Sequence, residues 1–502
     1  MSLAARLAST PPGYRFSIGR ILAIYAGLMV TLMLAALDQT IVATALPRIV
    51  SDLGGLTSYT WVFTAYMLTS TVAVPLWGKL GDVYGRRPLI LAAIVIFLVG
   101  SALCGLAHTM FQLVVFRGIQ GVGAGGLFPL AIATVGSIVP PSDRGRYQGL
   151  IGAVFAAASI VGPALGGFIV DNLSWHWIFF VNLPVGGVAL AVVWATMPRR
   201  AERHHRHSID WAGAAVLAVG TAALLLGLVW AGRDYPWLSW PVGGAFVTAA
   251  VLLAVFALIE RGVTEPILPF DLLRIHSVWA STLASGLVGM AMFGTITFVP
   301  LFAQGVIGIS ASSSGVVLTP FMLGAILTSI LAGQIVSRTG RYRPLTLIGP
   351  LVLGTGLFLL SRMGVTASSG EAARNMVICG IGLGMMMQIF VLIVQNTVPS
   401  SAIGSATALT QFARSIGATL GVAIMGLIVN QGLPPEARRH GQALHRLPEL
   451  ARVALAQAIQ PAFLAAAAVC LVVFLIAFFG IREVPLRRGF EERAPAELDS
   501  RA

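Results

Sequence analysis

"GKLGDVYGRRP" at residues 78–88 returns in altered form as "GQIVSRTGRYR" at residues 333–343, with Gly78, Gly85 and Arg86 falling on Gly333, Gly340 and Arg341. The same spacing of 255 residues lays Ala158, Gly162 and Gly166 of "ASIVGPALGG" on Ala413, Gly417 and Gly421 of "ARSIGATLGV". Two separate matches at one spacing predict a chain of two duplicated halves with the stretch between them inserted. The copy is unequal where charge is concerned, since Asp82 meets Ser337 and the first apolar run has an acid that its counterpart lacks.

What the halves are made of follows from composition. Of 502 residues, 57% are hydrophobic and 10% charged, with a mean hydropathy of +0.87, whereas soluble domains carry about 25% charged residues. The chain is therefore expected to be an all-α polytopic membrane protein. Apolar runs long enough to cross a ~30 Å hydrocarbon core recur about fourteen times, at roughly 18–45, 59–77, 88–107, 111–136, 146–170, 175–197, 211–231, 241–260, 277–303, 313–335, 344–362, 374–396, 402–430 and 459–480. The map that follows is a lead over 1–17, a six-helix half over 18–197, a basic loop over 198–210, two inserted helices over 211–260, a linker over 261–276, a second six-helix half over 277–480 with an outer loop at 431–458, and a tail over 481–502.

The charges orient it. Of 32 Lys and Arg, 22 fall on the side of the N-terminus, eight lie opposite, and two, Arg117 and Arg414, lie inside spans. The positive-inside rule then predicts both termini in the cytoplasm. The net charge of +13 has the same cause, so nucleic acid is not an expected partner. The lone lysine, Lys79, precedes Leu80, which excludes a Walker A loop and with it ATP hydrolysis of that kind. Cys104, Cys379 and Cys470 lie in separate apolar runs and read as small buried hydrophobes. No cleavable signal is expected before the first run. "ERHHRH" (202–207) reads as part of a basic inside loop rather than a metal site. No nucleophile–base–acid constellation appears, so an enzyme is not expected.

Asp38 is the exception inside "LAALDQTIVATALP" (34–47). A charge at the centre of a span costs about 2.5–3.5 kcal/mol on insertion scales, so the helix needs a function or a partner for it. Arg117 lies at comparable depth on the fourth span and is the expected partner. Desolvation raises a carboxylate's pKa and a guanidinium lowers it, so such a pair suits a proton-coupling site. A static ion pair between the first and fourth spans is the plainer alternative for both residues.

These motifs carry a family resemblance. The sequence resembles the major facilitator superfamily, and within it the fourteen-span drug:proton antiporter family. "GKLGDVYGRRP" is similar to the superfamily's loop between spans 2 and 3, "LDQTIVATALP" (37–47) and "RGIQGVGAGG" (117–126) to this family's span-1 and span-4 signatures, and "GPALGG" (162–167) to the span-5 motif of antiporters. His176, in "SWHWIFFVNLPVG", stands where that family usually has Arg. The resemblance implies a major facilitator fold of two six-helix halves plus two inserted central helices. It implies a cytoplasmic gate of Gly78, Asp82, Gly85, Arg86 and Arg87, and an antiporter motif of Gly162, Pro163, Gly166 and Gly167. Gly162 and Gly166 also lie four apart, as a close-packing stripe does, and Pro163 is expected to kink the helix.

For substrate contacts the candidates are Gln120, Met385, Gln388, Gln395, Gln411 and Arg414. Gln388 and Gln395 are seven apart and share one helix face, and Met with Gln makes an adaptable wall. Interhelical glue is the competing role for the glutamines. Arg414 is odd for a carrier of cations; it suits an anionic group of a substrate or a backbone carbonyl. The leading expectation is a proton-driven exporter of lipophilic, cationic drugs or dyes across a bacterial inner membrane. It needs no cofactor beyond the proton gradient and has the bilayer, the substrate and protons as partners. The alternatives are a dedicated exporter of one metabolite, siderophore or lipid, and a membrane sensor or scaffold without transport. No docking element for an adaptor protein is recognisable, and whether one is needed stays open.

Overall fold

The computed structural model describes residues 18–53, 61–139, 141–198, 210–231, 235–263, 266–268, 270–308, 311–432 and 449–486. Long helices dominate: α1 Ile18–Leu53, α2 Trp61–Tyr84, α3 Arg86–Gly105, α4 Met110–Ile138 and α5 Pro141–Asn172. Next come α6 Trp177–Thr196 with a turn at Val181, α7 Trp211–Trp230, α8 Trp240–Glu260, and α9 His276–Phe302 with a π-helical end at Ala303–Ile307. The last are α10 Ala311–Thr339, α11 Arg343–Ser361, α12 Ser369–Thr397 broken at Met387 and Gln388, α13 Ile403–Gly432 and α14 Glu449–Gly480. Among the described residues twelve helices are long and apolar enough to cross a membrane, and α2 and α5 are not in that set. The sequence predicts fourteen spans; α2 falls outside because Thr64, Thr69, Ser70 and Thr71 dilute its apolar run.

The repeat is structural. Gly85 at φ 85° ends α2 and restarts the chain into α3, and Gly340 at φ 71° does the same between α10 and α11. Both backbones are left-handed, which glycine adopts without steric cost. α1–α6 and α9–α14 each enclose their own apolar cores. The halves meet at two seams, α2 against α13 and α5 against α10, which the repeat exchanges with one another. Each seam is notched by the duplicated glycine: a methyl at Gly78 would overlap Ala408 of α13, and one at Gly333 would overlap the Gly145 carbonyl of α5. With no water in lipid to drive association, such close backbone approach is what holds membrane helices together. α7 and α8 pair with each other, and α7 rests on α2 and α13; the cluster there holds Val74, Leu217, Phe256, Leu268, Leu409 and Phe412.

α14 starts at Glu449, ahead of the apolar run that begins at 459, so part of the 431–458 segment is helical around "LPELARVALAQAIQ". Leu455, Ala456 and Ala458 are buried and Arg452 donates to the Val306 carbonyl at 2.8 Å, which carries the helix outward. The loop's 433–448, the terminal lead 1–17, "ERHHRH" within 199–209 and the tail beyond 486 lie outside the described residues.

Candidate functional site

Asp38 is wholly buried inside the first half, where α1 meets α2, α3, α4 and α6. Three side chains donate to its carboxylate. Arg117 Nη1 reaches Oδ2 at 2.7 Å, Gln120 Nε2 reaches Oδ1 at 2.8 Å and Asn182 Nδ2 reaches Oδ1 at 2.9 Å. Arg117 is held in turn: Nη1 also donates to Gln120 Oε1 at 2.7 Å, Nε donates to the Val62 carbonyl at 3.2 Å, and the guanidinium lies 4.0 Å from the Tyr66 ring centroid. A cation over an aromatic face is stabilised by the ring quadrupole, and Nη2 has no acceptor among the described residues. Behind them Asn182 donates to Ser101 at 3.0 Å, Ser101 to the Phe179 carbonyl at 2.8 Å, and the Cys104 thiol to Gln120 Oε1 at 3.7 Å. Three donors with no hydroxyl acceptor suit an ionised carboxylate; a protonated Oδ2 would set a donor against Arg117.

The pairing of Asp38 with Arg117 matches the sequence-based expectation, and Gln120, expected on a substrate wall, is part of that cluster. Asn182, Ser101 and Tyr66 were not foreseen. Asn182 is the one amide in the apolar run 177–197, a signal too common in membrane helices to single it out. Its removal has a measurable cost: Asn182→Ala strips one donor from a buried charge, worth about 1.5–3 kcal/mol, and should lower the melting temperature in detergent more than Ser101→Ala does. Equal melting of Asn182→Ala and wild type would remove Asn182 from the site.

The gate residues lie at the basic end of the bundle. Asp82 reaches across the α2–α13 seam, accepting from Gly404 N at 3.0 Å, Ser405 N at 2.7 Å and Ser405 Oγ at 2.9 Å. A carboxylate on the first amides of a helix meets the positive end of its dipole. Arg86 sits 3.5 Å from Asp82 and donates to the Ala133 carbonyl of α4 at 2.7 Å. Arg87 donates to the Trp194 carbonyl of α6 at 2.6 Å, so it braces the first half and does not cross the seam. At the same end Gln395 joins the halves: Gln148 donates to its Oε1 at 2.8 Å, it donates to Thr407 at 2.9 Å, and Arg144 takes its carbonyl at 3.1 Å. Gln148, Arg144 and Ser405 were not foreseen either.

The candidate cavity residues separate. Gln395 is sealed in the seam, against the expectation of a substrate wall, because Gln148 and Thr407 satisfy its amide. Gln388 shares that side, lining a narrow crevice with Gln148, Ser329 and Gly333, and its Oε1 has no donor. Met385 instead sits against Gly349 of α11. Arg414 packs on Gly289 of α9, with Gln411 one turn before it. In α5, Gly162 and Gly166 are buried, and a methyl at Gly162 would overlap Thr40 of α1. Their repeat partners do the same, Gly417 against Gly286 and Gly421 against Met290 of α9. Gly167 is half-buried with open space beside it. Pro163 lies within α5, and its side chain is outside the described residues. His176 stacks on Trp175 at 3.7 Å between centroids, and burial, then His108, lower its pKa, so it is neutral where an arginine would be charged.

Two six-helix halves that meet at paired seams, with a buried acid in only one of them, define a secondary transporter architecture. Residues 28–422 match the Major Facilitator Superfamily, and the chain belongs to that superfamily. It is 41% identical over 404 residues to "Multidrug transporter protein MdtP" of Bacillus subtilis (strain 168), covering 80% of this chain and 74% of that one. It is 37% identical over 402 residues to "Multidrug resistance protein 3" of the same organism, covering 80% and 78%. Among solved structures it is similar to the proton:xylose symporter XylE, with a TM-score of 0.66 at 14% identity, covering 94% of this chain and 98% of that one. The protein is thus a multi-pass membrane transporter with efflux-pump relatives, not an enzyme.

Proposed function

We propose that this protein is a proton-coupled antiporter that exports lipophilic small molecules across a bacterial inner membrane, through fourteen spans with both termini in the cytoplasm. The observation that carries it is Asp38: a carboxylate buried in an apolar helix, with three donors and one guanidinium arranged for its ionised form. Proton binding on the carboxylate removes the negative charge that Arg117 Nη1 faces and leaves a weaker, uncharged acceptor there. Uptake of a proton then loosens α1 from α4, and release restores the pair. Burial of Asp38 together with the bonds joining the halves at the basic end marks a conformation closed toward the cytoplasm. The bias of basic residues supports that orientation, and twelve helices of spanning length and hydropathy, with α2 and α5 added, support the span number.

The test is efflux of a fluorescent dye from proteoliposomes under an imposed pH gradient. The expected result is gradient-driven movement that stops when an ionophore collapses the gradient. Efflux that continues at the same rate after collapse would remove proton coupling. A dedicated exporter of one compound is the second reading, and Arg414 is the observation that favours it.

A further inference from the structure

Arg117 and Arg414 both lie inside apolar helices, and the structure treats them differently. Arg117 has Asp38 as its counter-ion, whereas Arg414 makes no hydrogen bond or ion pair with any described residue. It stands 11 residues into α13, roughly 16 Å along the helix at about 1.5 Å per residue. At that depth an uncompensated charge costs about 2.5–3.5 kcal/mol, so its retention calls for a partner that is not a fixed part of the chain. α9, against which it packs, contains no acid, and Phe293 of α9 occupies the repeat position of Asp38. Gly289 lets α9 approach the Arg414 backbone and the start of its side chain closely: a methyl there would overlap the Arg414 carbonyl and come within 2.9 Å of its Cγ. One turn earlier on α13, Gln411 is buried and its Oε1 has no donor. A side-chain amide can turn either its N–H or its carbonyl to a ligand.

We propose that Arg414, with Gln411 beside it, is a substrate-reading site for the anionic head of an amphiphilic cargo, a carboxylate or sulfonate. The planar guanidinium presents paired N–H donors that match such an oxyanion, and the amide adds a further donor. This rests on the export reading above and narrows its cargo to lipophilic anions and zwitterions, since a plain cation meets the wrong charge here.

The test separates binding from transport. Binding is measured in detergent at constant pH by fluorescence anisotropy, with a lipophilic carboxylate dye and a quaternary ammonium dye, on wild type, Arg414→Gln, Arg414→Lys and Gly289→Ala. Gradient-driven efflux of both dyes follows in phosphatidylcholine vesicles, which supply no anionic lipid. Arg414→Gln is expected to weaken the carboxylate dye at least tenfold and to leave the ammonium dye bound as well as before or better; Arg414→Lys should recover part of the loss. Gly289→Ala, which keeps the charge but crowds the Arg414 carbonyl, is the packing control and should weaken both dyes alike. The proposal is overturned if wild type does not bind the carboxylate dye, or if Arg414→Gln weakens both dyes equally or neither. Selective binding with no response to the pH gradient would instead remove proton coupling and leave the Arg414 site standing.

Discussion

Asp38→Asn is expected to lower gradient-driven efflux by about 10²-fold or more, the range for removing a positioned acid–base group, while the dye still binds. The substitution keeps the shape and two of the donors but removes the only buried charge facing Arg117. It also leaves a guanidinium uncompensated in the core, and breaking a buried pair from one side costs about 3–5 kcal/mol. Lost activity alone would therefore not separate coupling from collapse. The double variant Asp38→Asn with Arg117→Gln does so, because it removes both charges together. Its melting temperature should return toward wild type while the gradient response stays absent. If the double variant regains gradient-driven efflux together with stability, the carboxylate only holds α1 to α4 and the proposed mechanism is wrong.

Asp82→Asn has the second largest expected effect, on the balance of conformations. Asp82 closes the α2–α13 seam with three hydrogen bonds to the start of α13 and an ion pair with Arg86. Neutralising it replaces charge-assisted bonds, worth about 1.5–3 kcal/mol each, by neutral ones worth about 1 kcal/mol. A net loss of about 2–3 kcal/mol in the closed state corresponds to roughly a 30–150-fold shift toward opening. Spin labels at exposed Tyr84 and Ser401, on either side of that seam, report it: their distance distribution should gain a longer component in Asp82→Asn. The wild-type distribution in the variant would show that the seam is held by packing at Gly78 and not by Asp82. Transport should slow in the same variant, since a cycle needs both conformations populated.

The positions legible in the sequence were those whose physics is local or shared by the repeat. Gly85 and Gly340 announced themselves because a left-handed backbone admits little else, and Gly78 and Gly333 because a seam that close leaves no room for a methyl. Asp38 and Arg117 stood out as charges in hydrocarbon, and matching depth on neighbouring spans was enough to pair them. What stayed hidden depends on partners far away in sequence. That Asp82 could accept from Arg86 or from helix N-terminal amides was legible, but the helix it caps starts 322 residues later, and nothing near Gly404 signals that an acid will arrive. Gln395 and Asn182 are ordinary amides in apolar helices, and only the neighbours decide that one seals the halves and the other holds a carboxylate. The helical start of α14 was legible in "LPELARVALAQAIQ", whose apolar residues recur at helical spacing, and Leu455 and Ala458 of it are buried.

The inserted helices leave the two seams mechanically unequal. α7 lies against α2 and α13 with α8 behind it, whereas no inserted helix lies on the α5–α10 seam among the described residues. Parting α2 from α13 must break up the cluster in which Val74 of α2, Leu217 of α7 and Phe412 of α13 are packed, and packed side chains resist that because their contacts are lost within fractions of an ångström. Parting α5 from α10 instead breaks the close backbone approach of Gly145 and Gly149 to α10, so the two seams open against different kinds of contact.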